Sequence, residues 1–191
     1  MTPARFLRHH GQVTDHHQLV ELVDRAGRSD PEAWEALYRR VYPGLLAFAM
    51  RRLDAERARD AVAETMARAV AGIGRFRWRP GSSFDAWCYG ILRHVIVDMH
   101  RAGGREATRR TEVEPSRAGP LDHVLQGEEA AAIRAAFERL GDEDREVLEL
   151  RVVSGLSAEE VGTAMGKRAG AVRMAQSRAL ERLRRELERG S

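Results

Sequence analysis

Apolar residues recur at steps of three and four along most of this chain, which is the spacing that places them on one face of an α-helix. The pattern starts near residue 18, and the run Ser29–Glu32 predicts a helix start, because Ser or Asp caps a helix and proline fits its first turn. The pair Pro43-Gly44 predicts either a break in that helix or the start of the next. Residues 45–73 then continue the helical pattern as one long segment. Another follows over residues 84–101, whose apolar positions are spaced by 3, 4, 4 and 4.

Three stretches interrupt this pattern and divide the chain. Residues 1–17 are polar and His-rich, without a sustained period, and predict a loose N-terminal tail. Residues 74–83 contain Gly, Pro and Ser and predict a loop. Residues 102–127 are rich in Gly, Pro, Ser, Thr and charge, which predicts a flexible linker. We therefore expect an all-α protein with two small helical domains, at residues 18–101 and 128–191.

Residues 155–187 have the pattern of a helix-turn-helix. Ser157 and Glu160 match the S-x-x-E capping box, in which each side chain satisfies a backbone N–H group of the other residue. Gly166 stands where a helix commonly ends in a left-handed residue, and a new helix follows from about Ala169. The second helix carries apolar residues on one face and arginines on or near the other. Such a helix can enter the major groove of DNA. The alternative is a charged helical hairpin that does not bind DNA.

Positive charge is concentrated in two segments of a chain whose formal net charge is only +3. Residues 75–110 hold eight Arg against three acidic residues, and residues 167–189 hold seven Arg and one Lys against three acidic residues. Two basic patches indicate a polyanion that is contacted in two places. The alternative is that these arginines only decorate solvated helix faces.

The composition argues against several other classes of protein. No stretch approaches the roughly 18 apolar residues of a membrane-spanning helix, and the N-terminus lacks an apolar signal-peptide core. We therefore expect a cytoplasmic protein without membrane insertion. The single Cys88 allows no internal disulfide, and it cannot build a zinc site alone. His94 and Asp98 are spaced as metal ligands can be, but no third ligand follows at a useful spacing. No nucleophile elbow or phosphate-binding glycine loop is present, so we expect no metal, no cofactor and no enzymatic activity.

The loop after residue 74 alternates arginine with aromatic residues. Arginines can follow phosphates while aromatic faces stack on unpaired bases, so this pattern suits single-stranded nucleic acid. The alternative is that Phe76 and Trp78 cap the core of the first domain. Basic residues continue along and beyond the next helix and favour nucleic acid: Arg93, His94, Arg101 and Arg105.

Taken together, the chain resembles the bacterial sigma-70 superfamily, specifically the extracytoplasmic-function (ECF) group that consists of regions 2 and 4. Three segments resemble region 2 of that family: DPEAWEALYRRVYPGLLAFAMRRL, ARDAVAETMARAVAGIGRFR and FDAWCYGILRHVIVDMHRAGGR. One segment resembles region 4: LGDEDREVLELRVVSGLSAEEVGTAMGKRAGAVRMAQSRALERLR. The order, the spacing and the intervening linker carry the resemblance, since no single motif would suffice. It implies a promoter-specificity subunit that binds core RNA polymerase and directs transcription initiation at −10 and −35 elements.

The resemblance also implies roles for individual residues. The −35 element would be read through Lys167, Arg168, Arg173, Met174, Ser177 and Arg178. The −10 element would be recognised and opened through Arg75, Phe76, Arg77, Trp78, Arg93, His94 and Arg101. The helix that docks on the polymerase clamp would use Asp60, Glu64 and Arg68, residues that also fit a plain solvated helix face. His94 stands where the family often has asparagine, so its −10 contact is expected to differ.

The implied partners are core RNA polymerase, through its clamp and flap regions, promoter DNA, and an anti-sigma factor that masks the basic surfaces. The alternative is a free-standing helix-turn-helix regulator that binds duplex DNA without polymerase. Such a regulator needs neither the aromatic–basic loop nor a clamp-docking helix.

Overall fold

The computed structural model describes residues 12–106 and 128–190, except for the side chains of residues 12–15, 103–106 and 128–130. Within these residues every regular element is helical and no strand occurs, which confirms the predicted all-α class. The α-helices are α1 (Gln12–Ala26), α2 (Pro31–Met50), α3 (Ala55–Gly72), α4 (Phe84–Glu106), α5 (Glu128–Glu138), α6 (Asp142–Leu148), α7 (Ala158–Met165) and α8 (Ala169–Gly190). A 3₁₀ turn, Ile73–Arg75, follows α3, and a π-helical turn, Glu149–Val153, follows α6.

The chain divides into two compact units, residues 1–40 and 41–191. This boundary falls inside α2, whereas the composition predicts a division at the linker over residues 102–127. The described residues of both expected domains that follow position 40 therefore belong to one unit. Of the expected linker, residues 107–127 lie outside the described residues.

Helix α1 starts at Gln12, so residues 12–17 belong to a helix and not to the expected tail. These positions contain neither Gly nor Pro, and nothing in them stops a helix from extending towards the N-terminus. Residues 1–11, the rest of the expected tail, lie outside the described residues.

The start of α2 follows the capping chemistry that the sequence predicts. The Asp30 carboxylate accepts hydrogen bonds from the N–H groups of Glu32 at 2.9 Å and Ala33 at 3.3 Å. The Arg25 Nε donates to the same carboxylate at 2.7 Å, and this bond, together with the backbone bonds, lowers the pKa of Asp30. An acid that stays ionised at the positive end of a helix stabilises that end.

Proline does not break α2, contrary to both outcomes that the sequence allows: the helix runs through Pro43 to Met50. The neighbouring Gly44 meets the Tyr89 side chain, and a Cβ at this position would lie 2.5 Å from the Tyr89 hydroxyl. Glycine is therefore required here by the close approach of α4 rather than by a turn.

The helical pattern predicted over residues 45–73 is divided between two helices, because the chain turns between Met50 and Ala55. Asp54 caps the new helix by accepting the Arg57 N–H at 2.9 Å. Aspartate competes for backbone N–H groups and so favours a helix start over a helix interior. The period-based prediction missed this local competition.

Helix α3 packs against α4, and both helices contribute buried apolar residues. The Thr65 hydroxyl is buried among them and donates to the Ala61 carbonyl at 2.7 Å, which satisfies its polar group. Helix α4 continues to Glu106, beyond the expected domain end at residue 101. The core residues of this pair are Ala58, Ala61, Val62, Met66, Ala69, Phe84, Ala86, Cys88, Tyr89, Leu92, Val95 and Ile96.

Helices α5, α6 and α8 enclose a second apolar cluster. It consists of Phe137, Leu140, Leu148 and Ala179, with Leu183 packed against it. Helix α5 begins at Glu128, where the sequence predicts the second helical domain to begin. Helices α5 and α6 pack against α8, which forms the helix-turn-helix together with α7.

Candidate nucleic-acid interface

The turn between α7 and α8 has the geometry that the sequence predicts. The Ser157 hydroxyl accepts the Glu160 N–H at 3.1 Å, and the Glu160 carboxylate accepts the Ser157 N–H at 2.6 Å, which confirms the capping box. Gly166 ends α7 in the left-handed conformation, with φ 66° and ψ 32°. A Cβ on Gly162 would lie 2.6 Å from the Lys167 carbonyl oxygen, so the chain passes close beside α7 as it turns.

Helix α8 presents one apolar face and one open polar face. Val172, Ala175 and Ala179 are buried against the preceding helices. The other face is exposed and carries Arg173, Met174, Ser177 and Arg178. Met174 is 64% exposed, a large value for an apolar side chain. The four side chains predicted to face DNA bases therefore share one solvent-facing surface.

Acidic residues already pair with the basic residues around this surface. The Arg173 guanidinium donates to the Glu159 carboxylate at 2.7 Å and lowers the pKa of that carboxyl. Lys167 forms an ion pair with Glu143 and lowers the pKa of Glu143 in the same way. Both pairs are exposed, so a phosphate or a guanine can compete for the cation at low cost. Arg168 is also exposed at the start of the helix.

The loop that follows α3 packs its aromatic residues together and exposes its arginines. The Phe76 ring lies 5.2 Å from the Trp78 ring, 6.2 Å from the Phe84 ring and 5.2 Å from the Trp87 ring, centroid to centroid. Phe76 and Trp78 are each half-buried in this cluster, which links the loop to α4. Of the two readings of these aromatics, the packing matches a cap on the core more closely, although both rings keep part of their surface exposed.

The loop arginines form an open basic edge beside that cluster. Arg75, Arg77 and Arg79 are exposed. Arg77 donates to the carbonyls of Gly74 at 2.7 Å and Phe76 at 2.8 Å, which holds its side chain across the loop. A basic edge on a loop that is fixed by aromatic packing can hold a phosphate backbone.

The basic residues of α4 do not share one environment. The Arg93 guanidinium binds the Glu146 carboxylate, with Nη2 at 3.3 Å from Oε2, and its Nη1 donates to the Ala164 carbonyl at 3.3 Å. His94 is exposed, and its Nδ1 lies 2.7 Å from the Gly90 carbonyl oxygen, so Nδ1 is the protonated nitrogen. Arg101 is exposed further along the helix. The basic surface expected along α4 is therefore interrupted at Arg93. This side chain is engaged by the Glu146 carboxylate and the Ala164 carbonyl, which lie far away in the sequence.

The three residues predicted to dock on polymerase line one open groove between α3 and α4, with a volume of about 650 Å³. Arg68 Nε donates to Glu64 at 2.7 Å, and its Nη1 lies 3.5 Å from Asp98 across the groove. The hydrogen bond that Arg68 donates to Glu64 raises the pKa of Arg68. Asp60 lies on the same wall. Sequence patterns assign Asp98 no role at this groove, because its spacing along α4 does not reveal which residue of α3 it will face.

Within residues 12–106 and 128–190, no group of three or more His, Cys, Asp or Glu side chains is placed to hold a metal ion. Cys88 is buried, and this burial strongly raises the pKa of its thiol, which makes the thiol unreactive. None of the described helices is long and apolar enough to cross a membrane.

The family models of two known domains match this chain: Sigma-70 region 2 over residues 37–106 and Sigma-70 region 4 over residues 136–185. The chain is also 33% identical over 176 residues to the ECF RNA polymerase sigma factor ShbA of Streptomyces griseus, an alignment that covers 85% of this chain and 92% of that protein. The chain belongs to the ECF group of sigma-70 family RNA polymerase sigma factors. Region 2 and region 4 below denote the two matched ranges.

Other sigma factors show the same likeness. The chain is 40% identical over 134 residues to the ECF RNA polymerase sigma factor SigD of Mycobacterium tuberculosis, covering 68% of this chain but only 63% of SigD. Its fold is similar to that of CnrH in complex with the cytosolic domain of CnrY, with a TM-score of 0.64 over 90% of this chain and 97% of that one at 22% identity. It is also similar to the sigma factor RpoE in complex with the anti-sigma factor NepR from Bartonella quintana, with a TM-score of 0.56 over 92% and 98% of the chains at 26% identity.

Sequence patterns missed the acidic residues of region 4 that contact region 2. Glu146 and Glu149 lie in an acidic, amphipathic stretch that reads as an ordinary helix face. Their partners are Arg93 and the arginine pair Arg51–Arg52, which lie some 50 to 100 positions earlier in the sequence. No local pattern encodes a pairing over such a separation.

Proposed function

We propose that this chain is a promoter-specificity subunit, which binds core RNA polymerase and directs transcription initiation by sequence-specific recognition of −10 and −35 elements. The observation that carries the proposal is the exposed face of α8, where Arg173, Met174, Ser177 and Arg178 stand together behind a tight, capped turn. A recognition helix of this kind enters the major groove, where arginine can make two hydrogen bonds to one guanine. Membership of the ECF group supports the same role.

In region 4, Lys167 and Arg168 lie in the turn directly before α8 and would hold the DNA backbone. Arg173, Met174, Ser177 and Arg178 would face the bases or the flanking phosphates of the −35 element. Arginine supplies the polar contacts, and the exposed Met174 supplies an apolar one that suits a thymine methyl group.

In region 2, the −10 surface would consist of the loop after α3 and the outer face of α4. An everted base needs new stacking and hydrogen bonds to compensate for its lost neighbours. The half-exposed rings of Phe76 and Trp78 can supply stacking, and the loop arginines can supply phosphate contacts. With Nδ1 bonded to Gly90, His94 has only Nε2 left for a contact, whereas an asparagine would offer both a donor and an acceptor. The residues proposed for this surface are Arg75, Phe76, Arg77, Trp78, Arg93, His94 and Arg101.

The groove between α3 and α4 would dock on the polymerase clamp through Asp60, Glu64 and Arg68. Opposite charges side by side in one groove suit a partner surface that also carries both signs. Region 4 would contact the flap. The polymerase performs the chemistry, so this chain contributes no catalytic group and needs no cofactor.

The proposed organisation has residues 18–101 as the polymerase-binding and −10 domain, residues 102–127 as a linker, and residues 128–191 as the −35 domain. Residues 1–17 would precede these functional parts. We place the protein in the cytoplasm, where the polymerase acts. An anti-sigma factor is a proposed further partner, because the similar RpoE was solved in complex with one.

The requirement for core polymerase distinguishes a promoter-specificity subunit from a free-standing helix-turn-helix regulator. Labelled promoter fragments would be titrated with the chain alone, with core polymerase alone, and with both. Sequence-specific binding that appears only with both proteins is the expected result. Equally specific duplex binding by the chain alone, unchanged by core polymerase, would identify a free-standing regulator instead.

A further inference from the structure

Helix α6 carries three acidic residues in its first turn, Asp142, Glu143 and Asp144, and it packs against α8. Asp142 pairs with Arg145 of its own helix. The other two acids pair with basic residues on α8 or in the turn before it. Glu143 and Asp144 therefore need a separate explanation.

Asp144 anchors the first turn of α6 to α8. Its carboxylate binds the guanidinium of Arg182, and its side chain is only 11% exposed. A carboxylate that has lost most of its hydration needs a cation or hydrogen-bond donors to remain ionised. Because this pair is costly to break, it also fixes the position of the neighbouring Glu143.

Glu143 lies among cations on an open surface. Its carboxylate pairs with the Lys167 ammonium, and its side chain is 66% exposed. The hydrogen bond from Lys167 lowers the pKa of the Glu143 carboxyl most, and the charges of Arg178 and Arg182 lower it further. Arg178 is exposed, and its Nε donates to the Met174 carbonyl of its own helix at 3.4 Å. One exposed carboxylate thus offsets part of the charge of Lys167 and Arg178, two residues proposed to contact the −35 element.

A DNA phosphate would compete for the place that Glu143 holds. Carboxylate and phosphate oxygens both accept hydrogen bonds from ammonium and guanidinium groups. Two anions beside one set of cations repel each other, so a phosphate can approach Lys167 closely only when Glu143 moves away. The exposed pair contributes little stability, so this exchange is possible at a modest cost in DNA affinity.

We propose that Glu143 takes the place of a DNA phosphate on region 4 and competes with the DNA backbone for Lys167 and Arg178. The competition lowers the affinity of the chain for DNA of any sequence, because backbone contacts supply most of non-specific binding. Base contacts at the −35 element, or a second partner that holds the chain on the promoter, must then supply more of the binding free energy. The inference rests on the proposed DNA contacts of Lys167 and Arg178, but not on the proposed requirement for core polymerase.

Binding of the full-length chain to a random-sequence DNA duplex, without polymerase, tests the competition. Glu143→Gln removes the charge and keeps the shape of the side chain. Glu188→Gln is the matched control, because it removes the same charge from an exposed pair with Arg184 and lies about 15 Å beyond Arg178 on α8. Affinities would be measured by fluorescence anisotropy at low salt.

We expect Glu143→Gln to bind the duplex about fivefold more tightly, because an exposed ion pair no longer has to be broken and a like charge no longer faces the phosphates. The control should change the affinity much less. An unchanged affinity of the Glu143 variant would overturn the proposal. Equal gains for the two variants would also overturn it, since they would show a general effect of net charge.

The salt dependence of the same binding distinguishes competition from a structural effect of the substitution. Each phosphate that a protein cation neutralises releases counterions from DNA, whereas a carboxylate that loses its internal cation takes a counterion up again. We therefore expect the plot of log affinity against log salt concentration to be steeper for Glu143→Gln, by up to about 0.9 in slope. The control should keep the slope of the unmodified chain. Identical slopes for all three proteins would overturn the proposal.

A double-mutant cycle tests whether Glu143 acts through its cation. Lys167→Gln should weaken duplex binding, and Glu143→Gln should then add much less affinity than it adds in the unmodified chain, because the two residues are coupled. The same gain in both backgrounds would mean that Glu143 does not compete for Lys167, and would overturn the proposal. Promoter binding that needs no core polymerase would instead overturn the proposed function and leave the competition intact.

Discussion

Arg173 is the side chain on which the assignment of a DNA-reading face most directly depends. It lies on the exposed face of α8, and its guanidinium is already extended towards Glu159 of the preceding helix. An exposed ion pair of this kind contributes little stability. The pair with Glu159 instead holds the Arg173 side chain in one direction before DNA binds.

Replacing Arg173 with Ala should weaken −35 binding by about 1–3 kcal/mol and relax the preference at one base pair, if this guanidinium contacts guanine. Arg184→Ala is the control. Arg184 lies about 16 Å further along α8 and pairs with Glu188 on its own helix. Competition binding with single-base variants of the site distinguishes a base contact from a phosphate contact, which would weaken all sequences alike. Unchanged −35 binding by the Arg173 variant would show that α8 is oriented differently.

The carboxyl of Glu159 reports the state of Arg173 through its pKa. The hydrogen bond from Arg173 lowers that pKa from the ordinary 4.5. The stabilisation from this pair is therefore fully present above pH 4.5 and is lost as the pH falls through the lower pKa of the folded protein. In a side-chain NMR titration, Arg173→Ala should move the Glu159 pKa back towards 4.5. An unmoved pKa would mean that the pair does not persist in solution.

Substitution of Arg68 tests the proposed docking of this chain on core polymerase. Reversing its charge with Arg68→Glu places a third acid beside Glu64 and Asp98, and should weaken core polymerase binding by tenfold or more, about 1.4 kcal/mol. Arg39→Glu is a matched control, because Arg39 forms the same exposed i,i+4 pair with Glu35 outside the groove. The binding constants of both variants for core polymerase would be measured by titration calorimetry. Equal losses for the two variants would remove the groove from the proposed interface.

The turn between α7 and α8 determines how the recognition helix is presented. Its parts are local: a capping box, a left-handed glycine, and a second glycine where the chain passes close to α7. Each is encoded by residues within a few positions, and for this reason the sequence predicts both the turn and the cap correctly.

Two glycines at this turn should respond in opposite ways to alanine. Gly166→Ala places a side chain at a φ of 66° and should destabilise the protein by roughly 1–2 kcal/mol. Gly170→Ala lies in the first turn of α8 with open space around it and should stabilise by about 0.5 kcal/mol. Urea unfolding of both variants checks the signs. A stabilising Gly166→Ala would mean that α7 does not end in a left-handed residue in solution.

Helix boundaries show where local reasoning ends. The α2–α3 break was missed because the apolar period continues across it, while the deciding feature is the carboxylate of Asp54. Pro43 suggested an interruption, yet α2 continues through it. Both errors arise where one side chain or one packing contact outweighs the average tendency of a longer stretch.

For the molecule as a whole, the all-α class and the family follow from sequence patterns, whereas the packing of region 4 on region 2 does not. That packing depends on Glu149 meeting Arg51 and Arg52, and on Glu146 meeting Arg93. Such partners can be recognised only after folding has brought them together. The candidate DNA residues of α8 share one face as expected, but the environment of Arg93 was not foreseen for the same reason.

The most direct test of the central claim is run-off transcription from a genomic promoter library, with purified core polymerase in the presence and absence of this chain. A promoter-specificity subunit should produce reproducible new start sites that share two spaced upstream elements. Start sites identical with and without the chain, under conditions in which core polymerase binds it, would contradict the account.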